Sequence, residues 1–342
     1  MSTQTIVATG SYTTGEGRGP GIRLLSLDRE ELTASTLAEV ALDDPTFLLW
    51  SPDGSMLYAV HETSPTVVTA LRVDAAGASA EVAGSLELTG SGGCHVAFGI
   101  AASTLIVTDY GSGTVEVVGL DADGAPTQVI DVCDHSGYLP QRTAHPHQAT
   151  ILPGTGLLGV TDLGLDRVYL YRQQPSGEID LAGEITAGRF SGPRHLAADH
   201  ESLVLYLACE LTGEITDAVR SAAGGDGEEP SWTVRRPLPA SGTGVPNEVS
   251  HLEISGHENH LFVANRGPDT LAAFNLGMMR PELVAEVPVG ARPRHFTRLE
   301  DLILVAAQDG DRIDLVRWNG HGFSIAGEPI PAPSISCIVP RP

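Results

Sequence analysis

The sequence contains no lysine: all 20 basic residues among its 342 are arginines. Without a side-chain amine the chain cannot form a Schiff base with a substrate, and it cannot supply the lysine of a phosphate-binding P-loop. Asp and Glu, 43 in total, outnumber the arginines and give a formal net charge of −23. A surface of this sign repels phosphate backbones and anionic lipids, so we expect neither nucleic acid nor a membrane as a partner.

Long apolar runs and several sequence signatures are also missing. No stretch approaches the roughly 18 consecutive apolar residues of a membrane-spanning helix. The first ten residues lack the basic and apolar regions of a signal peptide. The four cysteines show no Cys-x-x-Cys spacing, which favours a reducing compartment, so we expect a cytoplasmic protein. No Gly-x-Ser-x-Gly motif is present, so a serine nucleophile is not predicted.

What the sequence does contain is a repeat of about fifty residues. Short apolar runs end at Glu62, Tyr110, Leu163, Glu210, Arg266 and Gln308, with a related run ending at Ser11. Turn residues and a second apolar run follow most of them, a pattern typical of β-hairpins. Seven copies predict an all-β fold, a seven-bladed β-propeller with four-stranded blades around a central channel. We expect one domain spanning residues 1–342.

Two segments complete this prediction. The N-terminal segment is expected to close the ring by pairing with strands near residues 323–339. A polar stretch at about residues 221–231 accounts for the longest spacing between end points, 56 residues, and is interpreted as a loop insertion.

Histidines recur at nearly one phase of the repeat. They stand thirteen to sixteen residues before the end of the apolar run: His95, His147, His195, His251 and His295, with Phe47 at this position in the first full repeat. Equivalent positions of successive blades lie on one ring around the axis. We therefore expect these side chains to converge at one end of the channel.

The residues around these histidines favour a functional site. In some propellers a histidine recurs at one position of each blade only to make structural hydrogen bonds. Here, however, charged residues of both signs accompany the column: Arg194, Arg294, Glu62, Glu210 and Arg266. Mixed charges of this kind are expected where an anionic substrate is bound and protons are moved.

A metal site is an alternative for His145 and His147. Two residues apart on a strand, they would face the same way, with Asp162 or Glu210 as an oxygen ligand. The arginines expected nearby would repel a divalent cation. We therefore predict no metal and no other cofactor.

A series of short motifs, in order along the blades, resembles the seven-bladed propeller lactonases of the 6-phosphogluconolactonase type. The resemblance runs from about residue 5 to about residue 320. It includes Gly-Ser-Tyr-Thr at 10–13, Ser-Pro-Asp-Gly at 51–54, Gly-Cys-His-Val at 93–96, His-Pro-His-Gln at 145–148, Gly-Pro-Arg-His at 192–195, Cys-Glu-Leu at 209–211, Asn-Arg-Gly at 265–267 and Pro-Arg-His-Phe at 293–296. The family is also similar to fungal carboxymuconate cyclases. One departure is Ser250 and His251, where relatives often carry a carboxylate.

The resemblance implies an enzyme that hydrolyses a lactone bearing an anionic group, of the 6-phosphogluconolactone type, without a tightly bound cofactor. Its functional positions fall on His147, Arg194, Glu210 and Arg266, with the role of base open between His147 and Glu210. The other members of the predicted ring are expected to bind substrate: His95, His145, His195, His251, Arg294 and His295.

Three alternative functions stay open. A cycloisomerase acting on a muconate-type acid would use the same residues without adding water. A propeller that only binds a partner would need no catalytic site. A metal-dependent, gluconolactonase-like propeller would lose activity on chelation. The oligomeric state is not predicted.

Overall fold

The computed structural model of the protein describes residues 4–101, 103–221, 231–257, 259–278 and 280–342. Within these residues the strands form seven antiparallel sheets, and the one helix is a 3-10 turn at His135–Gly137. The prediction of a seven-bladed all-β propeller is confirmed. No helix in the described ranges has the length and apolar character needed to cross a bilayer.

The strands follow one another blade by blade. They are β1 (Gln4–Ser11), β2 (Ile22–Asp28) and β3 (Thr33–Val40); then β4 (Pro45–Trp50), β5 (Met56–His61), β6 (Val67–Val73) and β7 (Ala80–Glu87); β8 (Gly93–Phe98), β9 (Thr104–Asp109), β10 (Thr114–Leu120) and β11 (Pro126–Asp134); β12 (Pro146–Leu152), β13 (Leu157–Asp162), β14 (Arg167–Gln173) and β15 (Ile179–Thr186); β16 (Pro193–Ala198), β17 (Val204–Cys209), β18 (Glu214–Arg220), β19 (Trp232–Val234) and β20 (Leu238–Pro239); β21 (Glu248–Ile254), β22 (His260–Arg266), β23 (Thr270–Asn275) and β24 (Glu282–Pro288); β25 (Pro293–Leu299), β26 (Leu302–Ala307), β27 (Arg312–Trp318), β28 (Phe323–Ile325) and β29 (Ile330–Pro331); and β30 (Ile335–Pro340).

Each blade runs from an innermost strand beside the channel to an outer strand at the rim. In two blades the outer strand is split, so that β19 and β20 both pair with β18, and β28 and β29 both pair with β27. The second strands are mostly buried, and β5 and β26 are buried throughout, whereas outer strands such as β7 are largely exposed. A strand covered on both faces contains a nearly continuous run of apolar residues. The repeated apolar runs of the sequence are therefore the second strands.

The two ends of the chain meet in one blade. The last strand, β30, pairs with β1 and is the innermost strand of the sheet that β1, β2 and β3 complete. Closure between the chain ends therefore occurs as predicted, but only through Ile335–Pro340. Phe323–Ile325 belongs to the preceding blade, because that blade needs an outer strand before the chain can return to the channel.

The predicted loop insertion falls mostly on residues 222–230, which lie outside the described residues. The residues on either side of it are close together, since the Ser221 amide donates to the Ser231 carbonyl at 2.8 Å. This pair extends the β18–β19 hairpin.

All seven innermost strands, within the described residues, contain a β-bulge near the start. The register with the neighbouring strand shifts at one unpaired residue in six of them, and in β21 it shifts across Ser250 and His251, opposite Ala264. The first unpaired residues of the seven strands form what we call the bulge ring: Thr46, Cys94, His147, Arg194, Ser250, Arg294 and Ser336. The residue after each bulge reaches the channel farther along in six strands: Phe47, His95, Gln148, His195, His251 and His295, which we call the inner ring. An extra residue re-aims the side chains that follow it. Two consecutive side chains can therefore face the channel.

Small members of the bulge ring join neighbouring blades. The Ser250 hydroxyl donates to the Pro293 carbonyl at 2.6 Å, and the Ser336 hydroxyl donates to the Thr46 carbonyl at 2.9 Å. Each buried bond of this kind contributes about 1 kcal/mol net. The bulges therefore help to fix the spacing of the blades as well as the direction of the side chains.

Gly10, in β1, provides a test of this packing where its blade meets the blade that begins with β4. A β-carbon at this position would lie 2.2 Å from the Pro45 carbonyl oxygen, so Gly10→Ala must push the two blades apart. We expect a loss of about 1–3 kcal/mol in the free energy of unfolding, measured by denaturant titration. Gly137→Ala is the control, because nothing lies within 4 Å of its β-carbon position. Equal stability of the two variants would contradict this account of the blade contact.

Candidate active site

A charged cavity of about 170 Å³ lies at the end of the channel where the innermost strands begin. Two structurally repeated positions supply most of its lining, the bulge ring and the residue that follows the second strand of a blade. The lining residues are Glu62, Cys94, Tyr110, His147, Arg194, Glu210, Arg266, Arg292 and Arg294. The propeller thus brings residues from distant parts of the chain to one small volume.

Glu210 lies between two buried arginines. Its Oε2 is 3.1 Å from Arg194 Nε and accepts a hydrogen bond from an Arg266 terminal nitrogen at 2.6 Å. Burial alone would raise the pKa of Glu210, but the positive charges of Arg194 and Arg266 outweigh it and hold the pKa below its ordinary value. Glu210 is therefore ionised at neutral pH. Its contacts with Arg194 and Arg266 both use Oε2.

Glu62 has a different environment on another side of the cavity. The Tyr12 hydroxyl donates to Glu62 Oε2 at 2.6 Å, and a terminal nitrogen of Arg294 lies 3.7 Å from the same oxygen. The Arg294 guanidinium also sits over the Tyr12 ring, 5.3 Å from its centre. Burial and the adjacent Glu62 carboxylate keep the pKa of Tyr12 above its ordinary value, although Arg294 acts against them. Tyr12 is therefore a donor to Glu62 at neutral pH.

His147 is neutral at physiological pH. Burial, followed by the charges of Arg194 and Arg294, lowers its pKa well below the ordinary value. Its ring meets the Tyr110 ring edge-on at 5.9 Å between centres. The buried Nδ1 has no hydrogen-bond partner among the described residues. A neutral imidazole that lines the cavity can exchange a proton or a hydrogen bond with a bound molecule.

Cys94 also lines the cavity, while the next residue, His95, faces the channel farther along. On a regular strand these adjacent side chains would face opposite ways. The bulge places its Sγ 3.3 Å from the His147 carbonyl oxygen. Burial raises the pKa of the Cys94 thiol to about 12. A thiol that stays protonated is a poor nucleophile, so Cys94 shapes the cavity without supplying a thiolate.

The structure brings together five of the residues predicted for the site: His147, Arg194, Glu210, Arg266 and Arg294. The remaining five residues of that set do not line this cavity: His95, His145, His195, His251 and His295. Their predicted roles in binding substrate remain predictions.

The five repeated histidines do converge in the channel, where their rings lie 4.3–5.9 Å apart between centres in succession, but they do not all line the cavity at one end. His195 and His295 line a neck below the site together with Arg194 and Arg294. His95, His251 and His295 line a cavity of about 440 Å³ at the opposite end. The reason is the bulge, since His147 belongs to the bulge ring and the other four belong to the inner ring.

His145 stands ahead of β12 and contacts Tyr110 instead of the cavity. Its ring stacks on the Tyr110 ring at 4.2 Å between centres, and its Nδ1 lies 2.8 Å from the Tyr110 carbonyl oxygen. Asp162, the carboxylate considered as a metal ligand with it, is fully buried and bonded to His135 Nδ1 at 2.8 Å. In the ranges described, no group of three or more His, Cys, Asp or Glu side chains has the arrangement of a metal site.

Several cavity residues were given no catalytic or binding role from the sequence: Cys94, Tyr110 and Arg292 in the lining, and Glu62, which was named only among the charged residues that accompany the histidines, with Tyr12 bonded to Glu62. A signal for three of them exists in the repeat. Tyr12, Glu62 and Tyr110 each follow the second strand of a blade, the position that Glu210 occupies. Arg292 carries no such signal, because it lies in the loop before β25.

The fold and this site define a seven-bladed propeller with a small, arginine-rich cavity at one end of its channel. The chain belongs to the family described as Lactonase, 7-bladed beta-propeller, whose sequence profile matches residues 6–340. The resemblance found in the sequence is thereby confirmed.

Individual relatives are similar over nearly the same length. A 6-phosphogluconolactonase of Bacillus subtilis is 25% identical, with 84% of this chain and 83% of that protein covered. An uncharacterized protein of Lactococcus lactis subsp. cremoris is 28% identical, with 97% of this chain and 98% of that protein covered. The structure of a periplasmic gluconolactonase of Pseudomonas aeruginosa superimposes with a TM-score of 0.87 at 22% identity, covering 99% of each chain, which shows a shared fold.

The buried histidines predict sensitivity to acid. Burial lowers the pKa of His95 far below the ordinary value of 6.5, and the neighbouring His295 and His251 lower it further. The unfolded chain therefore binds a proton below about pH 6.5 that the folded chain refuses, so stability falls as the pH falls from there. We expect His95→Phe to reduce this slope by up to about 1.4 kcal/mol per pH unit, measured by denaturant titration across the acid range.

The matched control for His95→Phe is His321→Gln, which replaces an exposed histidine. This substitution leaves the buried channel histidines in place, so the slope should not change. A slope equally affected by both variants would show that burial of the channel histidines is not the cause of acid sensitivity.

Proposed function

We propose that the protein hydrolyses a lactone that carries an anionic group, of the 6-phosphogluconolactone type, in the arginine-rich cavity. The observation that carries this proposal is Glu210, an ionised carboxylate held by Arg194 and Arg266 in a cavity that also contains a neutral His147. Membership of the lactonase family supports the reaction class, and the Bacillus subtilis relative supports the substrate type.

The charges of the cavity favour an anion. Its lining contains four arginines and two glutamates. Arg294 is only loosely paired with Glu62, at 3.7 Å, and Arg292 is about two-fifths exposed. Guanidinium groups bind phosphate and carboxylate through paired, planar hydrogen bonds. We assign Arg292 and Arg294 to the anionic group of the substrate.

Glu210 is assigned as the general base. Both arginine contacts use Oε2, which leaves Oε1 to take a proton from water. The oxygen of that water attacks the acyl carbon, and the carbonyl oxygen becomes an oxyanion. Arg194 and Arg266 lie against Glu210 and are placed to stabilise this developing negative charge.

His147 is assigned as the group that passes a proton to the leaving oxygen. The bond between the acyl carbon and the ring oxygen breaks, and the leaving alkoxide takes the proton that Glu210 gained, relayed through the neutral imidazole, which takes a proton at one nitrogen as it gives one from the other. Glu210 returns to its ionised form, and the hydroxy acid leaves as its carboxylate with release of one proton. The balance needs water and no other reactant. The positive charges around His147 disfavour a divalent cation at this place, so we propose that the reaction needs no metal.

Glu210→Gln tests the base directly. The amide keeps the shape of the side chain but cannot accept a proton from water, so kcat for 6-phosphoglucono-δ-lactone should fall by about 100-fold or more. The control is Glu184→Gln, since Glu184 contacts Arg167 at 3.2 Å on an outer strand, away from the cavity lining, and should change kcat little. Activity should survive EDTA. Full activity in a folded Glu210→Gln protein would remove Glu210 from the mechanism.

Hydrolysis in ¹⁸O-labelled water separates the proposed reaction from cycloisomerisation. Attack of water at the acyl carbon places one labelled oxygen in the product carboxylate, whereas an isomerase adds no water. Mass spectrometry of the product, corrected for spontaneous opening, should show one ¹⁸O per turnover. A product of unchanged composition from a muconate-type acid, with no lactone hydrolysis, would favour the cyclase. Absence of both activities would favour a binding platform.

A further inference from the structure

Four side chains form a continuous path from the candidate active site to the cavity at the opposite end of the channel. An Arg194 terminal nitrogen lies 3.4 Å from His195 Nε2, and His195 Nδ1 lies 2.8 Å from His251 Nδ1. His251 Nε2 is then 3.5 Å from Glu253 Oε1. None of the proposed catalytic steps uses His195, His251 or Glu253, so this arrangement needs a separate explanation.

The donors and acceptors along this path have one consistent assignment. Both histidines are neutral, because burial and then the charge of Arg194 lower the pKa of His195 well below its ordinary value and that of His251 to about 3. Arginine can only donate, so His195 Nε2 accepts and its proton is on Nδ1. That proton is donated to His251 Nδ1, which leaves the His251 proton on Nε2, facing the Glu253 carboxylate.

We propose that Glu253 is a positioning residue for Arg194 and acts on it through His251 and His195. This inference deepens the proposed function and rests on the part assigned there to Arg194. An ionised carboxylate can only accept, so its charge, 3.5 Å from His251 Nε2, favours the tautomer with a proton on that nitrogen. This preference passes along the two imidazoles and ends with an unprotonated nitrogen of His195 directed at the guanidinium.

The path affects Arg194 because the orientation of the guanidinium determines whether Nε faces Glu210. The same terminal nitrogen that meets His195 also donates to the Ser250 carbonyl oxygen. Two acceptors at one end of the planar guanidinium fix its plane, and Nε then faces Glu210 at 3.1 Å. With the other tautomer of His195, two N–H groups would face each other and Arg194 would turn away from the oxyanion position.

The path also makes the site sensitive to a proton at the far end of the channel. Glu253 lines the far cavity and its side chain is 28% exposed, so it exchanges protons with solvent without passing through the site. Burial raises the pKa of Glu253 to about 7, with Arg298 acting in the opposite direction.

Several neighbouring groups face Glu253 or its partner. His251 shares its strand, β25 contributes His295 and Arg298, β16 contributes His195, and β22 places Phe262 opposite Glu253. The three histidines are neutral because burial lowers the pKa of each. Once protonated, Glu253 can donate as well as accept, so it no longer enforces the direction of the path. We therefore expect Arg194 to be held less well below about pH 7.

Nitrogen NMR of the protein labelled with ¹⁵N-histidine tests the path without using activity. Two-bond ¹H–¹⁵N spectra report which ring nitrogen carries the proton. We expect the proton on Nδ1 of His195 and on Nε2 of His251 above pH 7, with both resonances changing as the pH falls through 7. Glu253→Gln should remove that change. A proton on His195 Nε2, or the same pH response in Glu253→Gln, would overturn the proposal.

The kinetics of lactone hydrolysis provide a second test of the path. Glu253→Leu removes the acceptor and should lower kcat by about tenfold at nearly unchanged KM, because it misplaces Arg194 without removing it. Glu253→Gln retains an acceptor oxygen and should fall between the wild type and Glu253→Leu. The control is Thr297→Val, which changes another residue of the far cavity that lies off the path. Equal kcat in all three folded variants and the wild type would overturn the proposal.

The two arms separate the possible failures. A wild-type protein that hydrolyses no lactone contradicts the proposed function, and the tautomers of His195 and His251 still decide the path. If the wild type is active but substitution of Glu253 changes neither the tautomers nor kcat, the proposed path is contradicted and the proposed hydrolysis is not. Should Glu253→Leu fail to fold, the isosteric Glu253→Gln carries both measurements.

Discussion

One extra residue near the start of each innermost strand determines what the channel of this propeller contains. On a regular strand, successive side chains point to opposite faces, so one of two neighbours would be buried between blades. The bulge removes this limit and lets both Arg194 and His195 reach the channel. Repeated around the channel, the same device separates two layers. The charged layer is formed by the bulge ring together with the residues at the ends of the second strands, and the aromatic layer beneath it is formed mainly by the inner ring. The candidate active site depends on this separation.

The charged layer is stable only because its members are paired. An isolated buried guanidinium is very unfavourable, and removing one partner of a buried ion pair leaves the other uncompensated. Glu210 lies between Arg194 and Arg266, and Glu62 lies between Tyr12 and Arg294. The arginines still outnumber the carboxylates in the cavity, so an incoming anion meets uncompensated positive charge. Structure and proposed binding thus have the same electrostatic origin.

The aromatic layer has the opposite character. Burial keeps its histidines neutral, and their rings pack against one another, as His251 and His295 do at 4.3 Å between centres. A neutral imidazole passes on a hydrogen-bond direction without carrying charge. This property lets Glu253, at the far end of the channel, influence Arg194 in the proposed account.

Much of the fold could be predicted from the sequence, because its repeat comes from the second strands, whose central residues are buried and mostly apolar. Closure of the ring was also predicted, through a segment longer than the strand that forms it. Only His147 of the histidine column lines the candidate active site, for a definable reason. His147 stands sixteen residues before the end of its apolar run, whereas His95 stands fifteen residues before the end of its own. The difference arises because His147 is the bulged residue of its strand and His95 follows the bulge, which the sequence alone does not reveal. Contacts such as His195 with His251 join blades and leave no local pattern.

The central claim is that a lactone is opened in the cavity around Glu210. A crystal structure with bound 6-phosphogluconate tests it most directly. The account predicts the product carboxylate against Arg194 or Arg266, beside Glu210, with the phosphate on Arg292 or Arg294. Product bound in the far cavity or on the outer strands, with no occupancy among these arginines, would contradict it.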